Sequence, residues 1–277
     1  MHAPTGVTRA FFVGVVTIVA AFAALADAAN DPLGTVEVDL IFPRNETYAP
    51  SPVLPLVFAF RNAKPGVLLS PRITFTIWDR DNMSNAVVGE SLEVDKANMS
   101  TNDPYFLYLG STKFNVEGKW QLTWTLVWYS CKDERGNGIA TNLTDNSMIF
   151  STKNAAPQVD LVAASNDDKC SSSTNVALDI TGTASVPNTV QWPGGETCAV
   201  VAGSETQPDP CRVKVDSAAA SSMSASMTAQ ICDGLAPPAA VGCPPKDDNK
   251  KNSAQRLLVG VIACVGAGLG AALYLLM

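Results

Sequence analysis

The stretch Trp120-Gln121-Leu122-Thr123-Trp124-Thr125-Leu126-Val127-Trp128-Tyr129 decides the fold. From Trp120 to Trp128 every second residue is large and apolar, while Gln121, Thr123 and Thr125 occupy the positions between. A period of two is the geometry of a strand, whose successive side chains point to opposite faces. A helix is the rival, because Trp120, Trp124 and Trp128 are four apart, but the β-branched and aromatic filling favours a strand. The three tryptophans are expected to face inward as core, since three solvent-facing rings in a row would leave a large apolar patch.

Working outward, short runs rich in Val, Ile, Phe and Thr are separated by Pro, Gly and Asn clusters. Candidate strands are Thr35–Phe42, Val53–Phe60, Arg72–Trp78, Leu92–Asp95, Tyr105–Leu109, Lys119–Tyr129 and Met148–Thr152. Seven strands at these spacings predict a mainly β protein, an immunoglobulin-like antiparallel β-sandwich over residues 29–154. Pro55 lies inside the second run and lacks a ladder N–H, which predicts an edge strand or a bulge there.

From about Ala155 to Pro245 the composition shifts to Ser, Thr, Ala, Asp and Pro, with few aromatics and only weak strand candidates such as Asn175–Ile180. So polar a segment has little apolar surface to bury. Residues 155–245 are therefore expected as a disulfide-stapled, irregular C-terminal half docked on the sandwich. Ser217–Thr228 reads as either a short helix or a loop. Pro237-Pro238 and Pro244-Pro245 lead as an extended stalk into a charged spacer, residues 246–256.

Both ends carry sorting signals. Arg9, the apolar run Ala10–Leu25 and Ala26-Asp27-Ala28 have the order of a cleavable signal peptide, residues 1–28. At the other end Leu257–Met277 is uncharged, and at about 1.5 Å per residue it just reaches across a hydrocarbon core of roughly 30 Å. Two readings are open for it. A GPI signal needs small residues, a polar spacer and an apolar tail; Asn252-Ser253-Ala254 supplies the small residues, with Asp247, Asp248 or Asn249 as the attachment point that restores a full spacer. A single-pass helix is the alternative.

Residues 1–28 contribute no net charge, since Arg9 and Asp27 cancel, and loss of Arg256 with the tail takes the chain from −7 to −8. An acidic surface excludes nucleic acid as a partner class. Of seven cysteines, Cys264 lies in the tail, leaving Cys131, Cys170, Cys198, Cys211, Cys232 and Cys243. Six in an oxidising compartment imply three disulfides, and with five of them at or beyond position 170, one must pair with Cys131. Sequons at Asn45, Asn82, Asn98 and Asn142 predict N-glycans on loops or strand ends.

The chain has one histidine, His2, which departs with the signal peptide. That removes Ser-His-Asp and Cys-His catalysis and His-based zinc or copper sites, and no CxxC, GxGxxG or P-loop pattern occurs. Neither a metal nor a cofactor is expected. Two-carboxylate chemistry survives in principle, with Asp79, Asp81, Glu90, Glu93 and Asp95 near the middle strands, though such acids commonly cap turns. Trp192, in Gln191-Trp192-Pro193-Gly194-Gly195, is the candidate for an exposed ligand contact.

The opening Val36-Glu37-Val38-Asp39-Leu40-Ile41-Phe42-Pro43-Arg44-Asn45-Glu46-Thr47-Tyr48-Ala49-Pro50 resembles that of an uncharacterised family of fungal secreted proteins, known only as a domain of unknown function. The Pro-rich run Val53–Asn62 and the Gly-Lys-Trp segment of Gly118–Cys131 continue the resemblance. It implies a fungal surface protein with an anchor-like tail and carries no catalytic residues. The expectation is a non-enzymatic cell-surface or cell-wall ectodomain with a structural or interaction role. A carbohydrate-binding module is the second reading and a carboxylate-dependent glycan-active enzyme the third. Expected partners are the membrane, through the tail, and a cell-wall polysaccharide or surface protein.

Overall fold

The computed structural model describes residues 33–133, 135–166, 175–203, 206–209 and 212–245. The signal peptide, the spacer, the apolar tail, Asn249, Asn252, Cys170 and Cys211 lie outside these described residues. From Gly34 onward the described residues belong to one compact unit.

Ten strands occur among them: β1 (Gly34–Phe42), β2 (Thr47–Tyr48), β3 (Leu54–Arg61), β4 (Arg72–Asp79), β5 (Asn82–Glu93), β6 (Tyr105–Ser111), β7 (Gly118–Cys131), β8 (Ile139–Thr152), β9 (Asn175–Ser185) and β10 (Thr197–Val201). They form two five-stranded sheets, one in the order β10-β9-β1-β3-β6 and the other β2-β8-β7-β4-β5. All neighbouring pairs are antiparallel except β2 with β8. The protein is thus mainly β. Four α-helices accompany the sheets among the described residues: α1 (Ala63–Gly66), α2 (Lys96–Met99), α3 (Leu161–Asn166) and α4 (Ser217–Asp233).

The central strand of the second sheet is β7, and its alternation is a burial pattern. Trp120, Leu122, Trp124 and Leu126 are buried while Gln121, Thr123 and Thr125 are half-exposed. The two sheets meet where Phe58 of β3 sets its ring edge against Trp124, with centroids 5.1 Å apart, an arrangement favoured by the ring quadrupoles. Trp120 packs edge-on to Phe114 at 5.1 Å, and its Nε1 donates to Thr152 Oγ1 at 2.9 Å. That ring folds back over Gly118, where an added Cβ would lie 2.3 Å from Trp120 Cζ2. The glycine of the Gly-Lys-Trp segment is therefore the space in which its tryptophan lies.

Four expectations change. β5 runs from Asn82 rather than Leu92, because it is an outer-edge strand exposed on both faces and so shows no apolar alternation. β8 begins at Ile139 rather than Met148; its inward positions Asn142, Thr144 and Asn146 are polar. β3 is interior, between β1 and β6. Its Pro55 is tolerated because pairing with β1 stops at Val57↔Phe42, next to a bulge between Leu40 and Phe42, so the missing N–H faces no ladder.

The fourth change concerns residues 155–245, of which β9 and β10 are strands of the first sheet rather than a region docked on it. β9 pairs with β1 from Gly34↔Ile180 to Asp39↔Asn175 and places Val176, Leu178 and Ile180 in the core. α4 is a full helix, started by Asp216, whose carboxylate accepts from Ala219 N at 2.7 Å. Its buried residues Ala219, Met223 and Met227 recur every four and pack on β6, where Gly110 leaves room for Met227.

Candidate functional site

Two places depart from an ordinary sandwich core: a cleft on the β8–β9 side and a buried cluster of charge behind it. The cleft begins with the register of β7 and β8. Trp128 is directly opposite Asn142, Leu126 opposite Thr144 and Trp124 opposite Asn146, so these polar residues occupy the inner face. Among the described residues β8 has no partner on its other side until β2 meets it at Ser151 and Thr152. Across the gap, β10 leaves β9 at Val201↔Ile180, which ends the pairing of that edge before Asp179 except for the bond from Ala202 N to the Asp179 carbonyl at 2.9 Å.

The result is a cavity of about 480 Å³ whose lining includes Trp128, Thr144, Val176, Leu178, Asp179 and Gln207. Trp128 is half-buried, unlike the fully buried Trp120 and Trp124. Its Nε1 donates to Thr144 Oγ1 at 3.3 Å, which orients the indole as a wall of the cleft. The volume falls within the range of about 300–1,000 Å³ typical of small-molecule sites, and apolar and polar groups converge on it.

Beyond Trp128 the sheets are joined covalently. Cys131 of β7 is bonded to Cys198 of β10, with Cα atoms 5.2 Å apart, inside a small cluster with Val186. Trp192 packs against this cluster and lies 6.1 Å from the ring of Tyr129. Its Nε1 donates to the Gly195 carbonyl at 2.6 Å, and an added Cβ on Gly194 would lie 1.8 Å from its ring. The residue expected as an exposed contact is thus half-buried and engaged in holding its own loop. A second disulfide, Cys232–Cys243, ties the end of α4 to the segment after it.

The buried charge comes from the opening segment. Glu37 and Asp39 alternate with Val36, Val38 and Leu40 on β1, so they project from the outer face of their sheet. That face is covered: α3 packs on β1, and Asp209 N donates to Glu37 Oε2 at 3.2 Å. Glu37 is ion-paired with Arg61, its register partner on β3. Asp39, 3% exposed, has no hydrogen-bond partner among the described residues for either carboxyl oxygen. Burial, reinforced by the charge of Glu37 and opposed by Arg61 and Arg44, raises its pKa to about 7. Sequence reasoning missed this pair, because acids alternating with aliphatics read as a solvated strand face.

The acids singled out from sequence do not converge on one another. Asp79 accepts from Asp81 N at 2.9 Å in the β4–β5 turn, and Glu93 forms an exposed pair with Arg72. Asp95 caps α2 by accepting from Ala97 N and Asn98 N, and Glu90 is exposed on β5. Among the described residues no group of three or more His, Cys, Asp or Glu side chains is placed to hold a metal, and no helix is long and apolar enough to cross a membrane.

The sequons divide by position. Asn45 is exposed in the turn after β1, and Asn82 is exposed as the first residue of β5. Asn98 is half-buried in α2, its Nδ2 donating to the Asp95 carboxylate. Asn142 lies inside β8, half-buried, with Nδ2 donating to Ser130 Oγ at 3.1 Å and to the Ala140 carbonyl at 3.4 Å. The expected loop or strand-end placement therefore fails for Asn98 and Asn142.

Residues 31–241 match a family profile described as a domain of unknown function, DUF7136. That span contains both sheets, the cleft and the buried charge. No curated protein matches the chain.

Proposed function

The chain belongs to the DUF7136 family, and on that premise we propose that it is the non-enzymatic ectodomain of a secreted, surface-tethered glycoprotein with a structural or interaction role. The observation that carries this reading is the Cys131–Cys198 bond, which links the two sheets within a buried cluster. Disulfides of this structural kind form and persist in oxidising compartments, outside the cytosol. The fungal source, the cleavable segment 1–28 and the tether in 257–277 belong to the same proposal, with the membrane and a cell-wall polysaccharide or surface protein as partners.

The disposition of the acids supports a role without catalysis. Acid/base hydrolysis of a glycosidic bond needs two carboxyl groups flanking an accessible bond. Among the described residues Asp79, Asp95 and Glu93 serve a turn, a helix cap and a surface pair, and Asp39, whose pKa is raised to about 7, is buried at 3% exposure. Nor does the tryptophan row offer a sugar platform, since Trp120 and Trp124 are 4% and 1% exposed.

The test is expression of the full chain through a secretory pathway, with intact cells treated with phosphatidylinositol-specific phospholipase C. The proposal expects a mature amino terminus at Ala29, a Cys131–Cys198 peptide on non-reducing mapping, and release by the phospholipase. Retention of residues 257–277 after treatment would replace the lipid anchor with a spanning helix. Reduced cysteines in a cytosolic protein would overturn the reading as a whole.

A further inference from the structure

We propose that the N-glycan on Asn142 is an internal part of this fold, with its first sugar lying in the β8–β9 cleft against the ring of Trp128. The inference rests on the secreted reading above, because transfer requires the secretory pathway. In that transfer the anomeric carbon of the donor's first sugar forms a bond to Asn142 Nδ2. The carbon–oxygen bond to the donor, a lipid diphosphate oligosaccharide, breaks; the diphosphate leaves with the electron pair and the amide loses one proton.

Position is the first argument. Asn142 and Trp128 are directly opposite on neighbouring antiparallel strands and share the inner face. Side chains so placed have Cβ atoms about 4.5–5.5 Å apart, so a sugar attached at Nδ2 starts beside the indole. The third residue of the same sequon, Thr144, accepts from Trp128 Nε1 and lines the cleft with it. Leu143 between them points outward and is 67% exposed. Asn142 Nδ2 keeps one hydrogen after modification, enough for the 3.1 Å bond to Ser130 Oγ, and gives up the longer one to the Ala140 carbonyl.

Chemistry is the second. A pyranose has C–H-rich faces and a hydroxyl rim, and the cleft offers Trp128, Val176 and Leu178 beside Thr144, Asp179 and Gln207. The exposed sequons lack such a partner: Asn82 is opposite Asp79 at the tip of a hairpin, and Asn45 is in a turn. The third argument is the edge itself. On the side away from β7, no described strand pairs with β8 from Ile139 to Phe150, which leaves a row of backbone groups open to another chain, and a glycan rooted in that strand blocks the approach.

The protein is produced in a eukaryotic secretory host, its glycans are mapped and then trimmed on the folded protein to single N-acetylglucosamine residues, and the N-acetyl methyl signals are followed by NMR. Asn142 is expected to be modified, with one methyl signal shifted upfield by an indole ring current. That signal disappears in Asn142→Gln, moves to the solvent-exposed position in Trp128→Leu and is untouched by Asn45→Gln. Asn142→Gln also lowers Tm by a few degrees, whereas Asn45→Gln leaves it unchanged. An unmodified Asn142 beside a glycosylated Asn45 or Asn82 overturns the inference, as does a modified Asn142 without a shifted signal. Free N-acetylglucosamine that perturbs Trp128 in the fully glycosylated protein overturns it in favour of a site for sugars from solution. Absence of glycan at every sequon refutes the secreted reading as well.

Discussion

The two halves of β7 lie in one strand and one sheet yet are held by different forces. From Trp120 to Leu126 the inward residues are buried, Trp124 against Phe58 and Trp120 against Phe114, which in turn meets Phe150, and burial does the work. At Trp128 the ring is only half-buried, its partner on β8 is the polar Asn142, and the sheets part around the cleft before Cys131 and Ile139 meet in the disulfide cluster. There a disulfide replaces a continuous core. A strand pattern therefore fixes which face is inward but not whether anything closes over it.

The largest effect that separates the halves is a pair of truncations. Trp124→Ala removes a fully buried ring and should cost about 3–5 kcal/mol in chemical denaturation, whereas Trp128→Ala in deglycosylated protein should cost about 1 kcal/mol. Equal costs would erase the distinction. Next comes the covalent link: Cys131→Ser with Cys198→Ser should cost about 2–4 kcal/mol and speed amide exchange in β10 and the end of β7 more than in β4. Uniform loosening would mean that the bond constrains only the unfolded chain.

Asp39 lies behind the open half, since its register partner Asn175 lines the cleft. Its pKa is raised from an ordinary 3.8 to about 7, so the fold favours the neutral carboxyl. The contribution to stability is therefore greatest below about pH 4 and is lost as pH rises through about 7. Asp39→Asn, which is neutral at every pH, should gain on the order of 2–4 kcal/mol at pH 8 and almost nothing at pH 4, read from urea midpoints at the two values. A gain that does not depend on pH would place the cause in packing instead of ionisation. The smallest of the four predictions concerns the sealed half. Gly118→Ala should displace the Trp120 ring at a cost of about 1–3 kcal/mol, visible in near-ultraviolet circular dichroism.

Much of the sandwich was legible because its inner strands obey the period-two rule. β1, β3, β4, β6 and β7 lie within a residue or two of the expected runs. The strands that escaped did so for physical reasons. β5 is solvated on both faces, and the first half of β8 is polar on its inner face because that face borders the cleft. The same polarity that hid β8 marks the site. β9 and β10 are short of large apolar residues, and their place in the first sheet follows from long-range pairing with β1, which no local pattern encodes. Glu37 and Asp39 were visible as letters; what covers them is Asp209 and its loop, some 170 residues away along the chain. Trp192 was correctly on a loop, but the fold of that loop over Gly194 and Gly195 was not readable from composition.

The inter-sheet space is dry at Trp124 and open at Trp128. The most direct test is hydrogen exchange of the indole N–H protons, followed by NMR on enzymatically deglycosylated protein with labelled tryptophan. Trp120 and Trp124 should exchange only with global unfolding, and Trp128 orders of magnitude faster under the same conditions. Protection of Trp128 equal to that of Trp124 would contradict it and would make the cleft part of a closed core.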